Sequence, residues 1–229
     1  MSLTINDLNL YYKEQIILKE KDELVRFISE EAGVNDTNYF NAKFLGNLRL
    51  QQIPEEYSQL LIFFREANIQ NYLELGVALG GSFFLNSVFL QKTLLKSHCV
   101  DSLAYKDVPW VQQTYEKIDS KIQRLKEYFP SKEFIFFNTT TNDFFKTNTQ
   151  KYDCIFIDAD HNYEGVKTDF ENSLNFLNKD GYLIFHDISN TNTGVHQCWQ
   201  EVKSNFSSNK TYEFCHSTVK NCGIGVIQI

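Results

Sequence analysis

From residue 54 onward, short apolar runs alternate with longer stretches of helical spacing. The runs at 72–75, 98–101, 134–137, 154–158 and 182–186 are rich in β-branched and aromatic residues, and most are apolar at consecutive positions, the pattern of strands buried on both faces. Between them, Tyr115, Ile118, Ile122 and Leu125 recur at three- and four-residue spacing up to Pro130, and Tyr163, Val166, Phe170, Leu174 and Leu177 form a second helical stripe that stops near Gly181. Pro54, at a first helical position with Glu55 and Glu56 behind it, opens a further helix whose stripe is Tyr57, Leu60, Leu61 and Phe64. After His186 come a helix over about 195–206 and two β-like runs, 211–216 and 223–229, whose short polar link favours a hairpin. The alternation predicts a doubly wound α/β domain whose mostly parallel sheet is covered by helices on both sides.

Residues 1–53 read as a helical N-terminal extension, with helices around 10–17 and 22–31 and a polar connection through Gly33-Val34-Asn35-Asp36. Its expected role is a substrate cap or a contact between copies in a homo-oligomer, and residues 54–229 form the main domain. No Pro/Gly/Ser-rich linker and no internal repeat divides the chain, and 229 residues folding as one unit bury roughly 70 to 75% of their unfolded surface.

Charge and cysteine usage narrow the class. A net charge of −7 argues against a nucleic-acid partner, which requires a basic surface. Lys117, Lys121 and Arg124 form a basic stripe on one helix, expected as a solvated face. The five cysteines are an odd set without C-x-x-C spacing and read as small core residues in a reducing compartment. No basic segment followed by an apolar stretch opens the sequence, and no apolar run approaches the ~18 residues of a membrane span. The expectation is a soluble, cytoplasmic protein without a membrane partner.

The candidate chemistry lies at strand ends. Ile155-Phe156-Ile157-Asp158 runs into Ala159-Asp160-His161, and Leu183-Ile184-Phe185 runs into His186-Asp187. The helix between them makes the two strands parallel neighbours whose carboxyl ends open on one crevice, where open α/β sheets bind ligands. Upstream, Glu74-Leu75-Gly76-Val77-Ala78-Leu79-Gly80-Gly81-Ser82 ends another strand and starts a helix, whose first N–H groups can receive an anion. A dinucleotide fingerprint needs glycine where Ala78 stands, which disfavours NAD. Asp101 ends the next strand, where a carboxylate can take both ribose hydroxyls or cap a helix.

The order Glu74-x-Gly76-x-x-x-Gly80-x-Ser82, Asp101, Ile157-Asp158-Ala159-Asp160-His161-x-Tyr163-x-x-Val166-x-x-Asp169 and Gly181-x-x-x-x-His186-Asp187 resembles the class I S-adenosylmethionine-dependent methyltransferases. Within them it is similar to the family 24-like group that includes macrolide-sugar O-methyltransferases and cephalosporin-hydroxylase-like proteins. The resemblance, which covers about residues 54–187, implies a seven-stranded Rossmann-like sheet with a final antiparallel hairpin. It implies further that Glu74 and the Gly76 turn, with Gly80 and Ser82 in the same motif, hold the methionine end of the cofactor, Asp101 the ribose, and Asp143 or a neighbour the adenine. Asp158, His186 and Asp187 correspond to a divalent-metal site for Mg2+ or Mn2+, and His161 to a general base. Histidine at 186 departs from the usual acidic ligand, and imidazole suits Mn2+ better than Mg2+.

Bland readings stand beside these. His161 can be a loop residue next to the helix-capping Asp160 and Asn162, and His186 and Asp187 can satisfy backbone groups at a strand end. Trp110 can stack on acceptor or adenine, or pack in the core. The functional expectation is O-methylation of a small hydroxyl-bearing metabolite such as a sugar or glycan precursor. A hydroxylase-like metal enzyme, a non-catalytic cofactor-binding module and a nicotinamide enzyme are the alternatives.

Overall fold

The computed structural model describes residues 20–32, 48, 50, 52–78, 80–103, 109–216 and 222–229, except the side chains of 30–32 and 109–117. The expected helix at 10–17, the connection through Gly33-Val34-Asn35-Asp36, and the side chains of Trp110, Tyr115 and Lys117 lie outside the described residues. The elements run α1 (Lys21–Ala32), α2 (Pro54–Glu66), β1 (Asn71–Leu75), α3 (Gly81–Phe89), β2 (Lys96–Asp101), α4 (Pro109–Tyr128), β3 (Glu133–Asn138), α5 (Thr141–Thr147), β4 (Tyr152–Ile157), α6 (Tyr163–Phe176), β5 (Leu177–His186), α7 (Gly194–Asn205), β6 (Thr211–Phe214) and β7 (Ile224–Gln228).

The seven strands form one sheet in the order β3-β2-β1-β4-β5-β7-β6. β1 through β5 pair in parallel, while β7 runs antiparallel to both β5 and β6. Strand order reverses between β1 and β4, so the crevice beyond their carboxyl ends is the topological switch point of the sheet. Gly76 follows one of these strands and Asp158 the other.

Alternation along each strand divides the core into two layers. Tyr72, Cys99, Phe134, Cys154, Phe156 and Ile184 face the layer of α1 to α4, and Leu73, Val100, Ile155, Ile157, Leu183 and Phe185 face that of α5 to α7. Leu24, Phe27 and Ile28 of α1, with Leu48 and Leu50, join Tyr57, Leu60 and Leu61 of α2 in the first layer. The described part of the N-terminal extension therefore shares the core of the main domain.

Three details differ from the sequence pattern. The stripe of α6 ends at Phe176, and Leu177 instead opens β5 and pairs with Tyr152. Its apolar spacing continues the helix, but the Leu177 backbone is already extended, at φ −82° and ψ 139°, and ends it. Lys121 is buried rather than solvated, and Arg124 lies over the Phe84 ring at 5.9 Å. Cys99, Cys154 and Cys198 are core residues, whereas Cys215 is exposed. Among the described residues no helix is long and apolar enough to cross a membrane.

Trp199 of α7 anchors the second layer, fully buried with its ring 5.3 Å from that of Phe185. A Cβ added at Gly225 would come within 2.7 Å of the indole, so β7 carries glycine there to admit it. Trp199→Ala is expected to cost about 3 to 5 kcal/mol of stability in denaturant unfolding. A loss below about 1 kcal/mol would show that the layer collapses around the cavity.

Candidate active site

The turn after β1 is built against the end of β4. Gly76 sits at φ 79°, its N–H donates to the Val100 carbonyl at 2.8 Å, and the Asp158 N–H donates to the Leu75 carbonyl at 2.9 Å. A Cβ at position 76 would overlap the Asp158 carbonyl oxygen and lie 2.5 Å from Ala159 Cα. Glycine is thus required by the approach of two strand ends, as well as by its positive φ. Gly80, at φ 71°, is the N-cap of α3 and donates its N–H to the Val77 carbonyl at 2.6 Å.

Asp101 pins the same turn from the end of β2. One carboxylate oxygen accepts the Val77 and Ala78 N–H groups at 3.0 and 2.9 Å, and the other accepts the Leu103 N–H at 2.8 Å. A carboxylate offers about four lone-pair directions, so this half-buried group keeps capacity for an incoming hydroxyl.

Glu74 and Ser82 lie behind the turn. Glu74 is fully buried; Ser82 Oγ donates to one of its oxygens, and Tyr72 OH and Asn86 Nδ2 donate to the other at 2.6 and 3.2 Å. The network continues through Asn86 Oδ1 to Tyr57 OH of α2 at 2.7 Å. Burial pushes the Glu74 carboxyl up to about 7, against the pull of its hydrogen bonds. Through these bonds Glu74 braces the turn from the side of α3, and period-two alternation gives it the same face of β1 as Tyr72.

Asp143 occupies the first turn of α5, where its N–H donates to the Thr140 side chain at 3.1 Å and its carboxylate accepts from Lys146 at 2.7 Å. These bonds, that from Lys146 foremost, lower its pKa, and the exposed residue stands as a helix-terminus group.

On the other side of the crevice, His161 Nε2 lies 2.8 Å from Asp187 Oδ2, and His186 Nδ1 lies 3.2 Å from Asp187 Oδ1 and 3.4 Å from Asp158 Oδ1. The two histidines differ in access: the His161 side chain is 48% exposed and that of His186 7%. The hydrogen bond to Asp187 raises the His161 pKa despite burial. Burial opposes charge on both His186 and Asp187, yet the attraction of Asp158 and then Asp187 outweighs it and raises the histidine, while His186 and the hydrogen bond from His161 hold the Asp187 carboxyl below its usual range. Asp187 itself adopts φ 63°, a strained conformation for a residue with a side chain.

The capping of α6 falls to other residues. Asn162 accepts the Gly165 N–H at 2.9 Å, and Asp160 accepts the Asn162 N–H at 2.9 Å. His161 is left facing Asp187, its carbonyl tied to the Gly194 N–H at 2.8 Å.

The donor atoms of Asp158, His161 and Asp187 all lie within 4.8 Å of one another. His186 was expected in that set instead of His161. The structure places it behind the two carboxylates, nearly buried, with Nε2 lacking a hydrogen-bond partner. Sequence reasoning also missed Glu56, whose carboxylate accepts the His216 N–H at 2.6 Å and the Gly223 N–H at 2.8 Å and whose pKa burial raises against the pull of those bonds and of His186. An acid in a first helical turn reads as a dipole partner, so nothing in the pattern marks it. The polar turn 189–193 is bonded mainly to itself and to the β7 side, through Thr193 Oγ1 to the Asn190 carbonyl at 2.9 Å and the Ser189 N–H to the Cys222 carbonyl at 2.7 Å.

Comparison with known proteins decides the family. The profile of methyltransferase family 24, described as a methyltransferase domain, matches residues 73–188, just over half of the chain. The chain belongs to this family. Its fold is shared with solved methyltransferases of low identity. An O-methyltransferase from Bacillus cereus in complex with SAH is 14% identical, with 97% of each chain covered and a TM-score of 0.52. The O-methyltransferase TomG from Streptomyces achromogenes, involved in tomaymycin synthesis and solved with SAM, is 13% identical, with 97% of this chain and 95% of that one covered and a TM-score of 0.57. The N-methyltransferase NodS from Bradyrhizobium japonicum WM9, in complex with S-adenosyl-L-homocysteine, is 14% identical, with 92% and 98% covered and a TM-score of 0.52. No curated protein matches the chain.

Two outcomes follow for this methyltransferase. On the expectation that Asp101 receives the cofactor ribose, Asp101→Ala should weaken S-adenosylhomocysteine binding by about 1.5 to 3 kcal/mol in calorimetry, and unchanged affinity would overturn that expectation. For Glu74, a folded-state pKa of about 7 against 4.5 means that the native state binds the extra proton, so its contribution to stability falls as pH rises between those values. Glu74→Gln cannot ionise. Its melting temperature relative to wild type should therefore rise from pH 4.5 to pH 7, and a pH-independent difference would contradict the raised pKa.

Proposed function

We propose that the chain transfers the methyl group of S-adenosylmethionine to a hydroxyl oxygen of a small metabolite, with His161 receiving the hydroxyl proton. The observation that carries this reading is the His161–Asp187 pair at 2.8 Å, on the strand ends adjoining the Gly76 turn. Asp187 accepts from the Nε2 side of the ring, so the lone pair able to take a proton resides on Nδ1, the arrangement by which a carboxylate fixes a base's tautomer. The acceptor oxygen attacks the methyl carbon, the carbon–sulfur bond breaks with its electron pair going to sulfur, and the hydroxyl proton passes to His161. Hydroxyls need this help because they are scarcely ionised near neutrality. A sugar or glycan precursor is the acceptor class favoured by the resemblance to macrolide-sugar enzymes.

A divalent cation is the second reading of this site, held by Asp158, His161 and Asp187 rather than by the sheltered His186; the His161 lone pair would then go to the cation, and His161 would act as a ligand in place of the base. Bound there, it would supply acidification of the acceptor, and a nitrogen with two carboxylates suits Mn2+ at least as well as Mg2+.

A panel of hydroxyl acceptors, read by mass for one added methylene, tests the activity. With an acceptor in hand, His161→Ala should lower kcat by about 10² to 10⁴-fold, leave S-adenosylhomocysteine affinity nearly unchanged and regain part of the rate at raised pH. A fall below about threefold would displace His161 as the base. Chelation should suppress turnover, with Mn2+ restoring it, where the cation contributes; full activity of a metal-free preparation, verified by elemental analysis, would exclude that contribution.

A further inference from the structure

The chain leading into α2 joins the two sides of the crevice at its rim. At one end, a Cβ added at Gly81 would overlap the Leu48 carbonyl oxygen and come within 3.0 Å of Leu50 Cδ2, so Leu48 and Leu50 lie against the first turn of α3, beyond β1. At the other end, Glu56 accepts from the N–H groups of His216 and Gly223, beside β7. β4 and β5, whose ends carry Asp158, His186 and Asp187, stand between β1 and β7 in the sheet. Leu48, Leu50 and the residues from Gln52 to Glu56 thus form a strap along the strand ends at which transfer is proposed.

On this strap one polar atom is left over. Gln52 is 8% exposed, and its Oε1 has no hydrogen-bond partner among the described residues. A buried amide oxygen without a donor opposes folding, and such groups in native proteins are met by a ligand or by ordered water. His186 Nε2 is a second atom of this kind. Nδ1 of that ring is turned to Asp158 and Asp187, so Nε2, across the ring, points away from them. His186 pairs with Ile224 in the β5–β7 ladder, next to the Gly223 that Glu56 holds. Both unpaired atoms therefore belong to the side of the crevice that the strap borders.

Their chemistry selects the partner. An amide oxygen only accepts, so it requires an O–H or N–H, whereas an imidazole nitrogen meets a donor when bare and an acceptor when protonated; a hydroxyl serves both. Resting on the proposed methyl transfer, we infer that Gln52 is an acceptor-binding residue whose amide oxygen takes a hydrogen bond from a second hydroxyl of the acceptor. The acceptor class is accordingly polyhydroxylated, with one hydroxyl presented to His161 and another to the strap. The strap then sets regiochemistry, because its bond decides which hydroxyl faces the methyl group.

Gln52→Met, similar in length but without the amide oxygen, tests this on the full chain. Before any acceptor is added, its melting temperature should lie about 2 to 4 °C above wild type, since an unpaired oxygen is removed, and S-adenosylhomocysteine affinity should stay within about twofold. A lower melting temperature would show that the oxygen is paired inside the fold through ordered water, and a tenfold loss of S-adenosylhomocysteine affinity would place it at the cofactor; either overturns the assignment. With an acceptor from the methyl-transfer panel, wild type should lose about tenfold or more in kcat/KM on one singly deoxygenated analogue, and Gln52→Met should treat that analogue and its parent alike within about twofold. Discrimination that persists in the variant would overturn the contact. Should Gln52→Met fail to fold, Gln52→Asn, which draws the oxygen back by one methylene, goes through the same analogue comparison with the same two outcomes. A panel that yields no methylated product counts against the transfer reading itself, while the melting and cofactor measurements decide without it whether the Gln52 oxygen is spare.

Discussion

The approach of the Gly76 turn to the backbone of Asp158 and Ala159 sets the geometry on which both halves of the crevice depend. It brings the ends of β1 and β4 together where strand order reverses, and the parallel hydrogen bonds from Asp158 to Leu75 and from Gly76 to Val100 continue the sheet into the site. On the proposed reaction, a methyl donor on one strand end and a proton acceptor beside the other must reach the same acceptor oxygen, which requires a fixed spacing between them. Here the spacing belongs to the hydrogen-bonded sheet.

Around this contact the polar groups work in pairs of layers. Asp101 secures the outside of the glycine turn, and the Glu74–Ser82–Tyr72–Asn86 network secures its inside. The opposite side has the same division, with His161 open to the crevice and His186 sheltered behind Asp158 and Asp187. Exposed members are free for ligands, while buried ones fix where the exposed members point.

The alternation of buried strands and amphipathic helices was legible because parallel strands covered on both faces must be apolar along their length. The α6–β5 boundary was not, since Leu177 keeps helical spacing with Phe170 and Leu174 even though the backbone turns at Phe176. α5, seven residues long, is too short for a periodicity to declare itself. Asp158, His161 and Asp187 were legible as strand-end chemistry, but their mutual distances arise from β4 and β5 pairing side by side, which spacing in sequence does not give. Two signals went unused. Glu74 shares parity with the core residue Tyr72, which places it on an inner face, and Lys121 follows Ile118 by three and precedes Leu125 by four, which places it on the apolar side of α4.

Glu56 holds the His216 and Gly223 N–H groups with the two oxygens of a single carboxylate. The end of the β6 side and the start of the β7 side are thereby both fastened to α2. The pairing of β6 with β7, and of β7 with β5 beside the crevice, is in this way tied to α2 through one side chain.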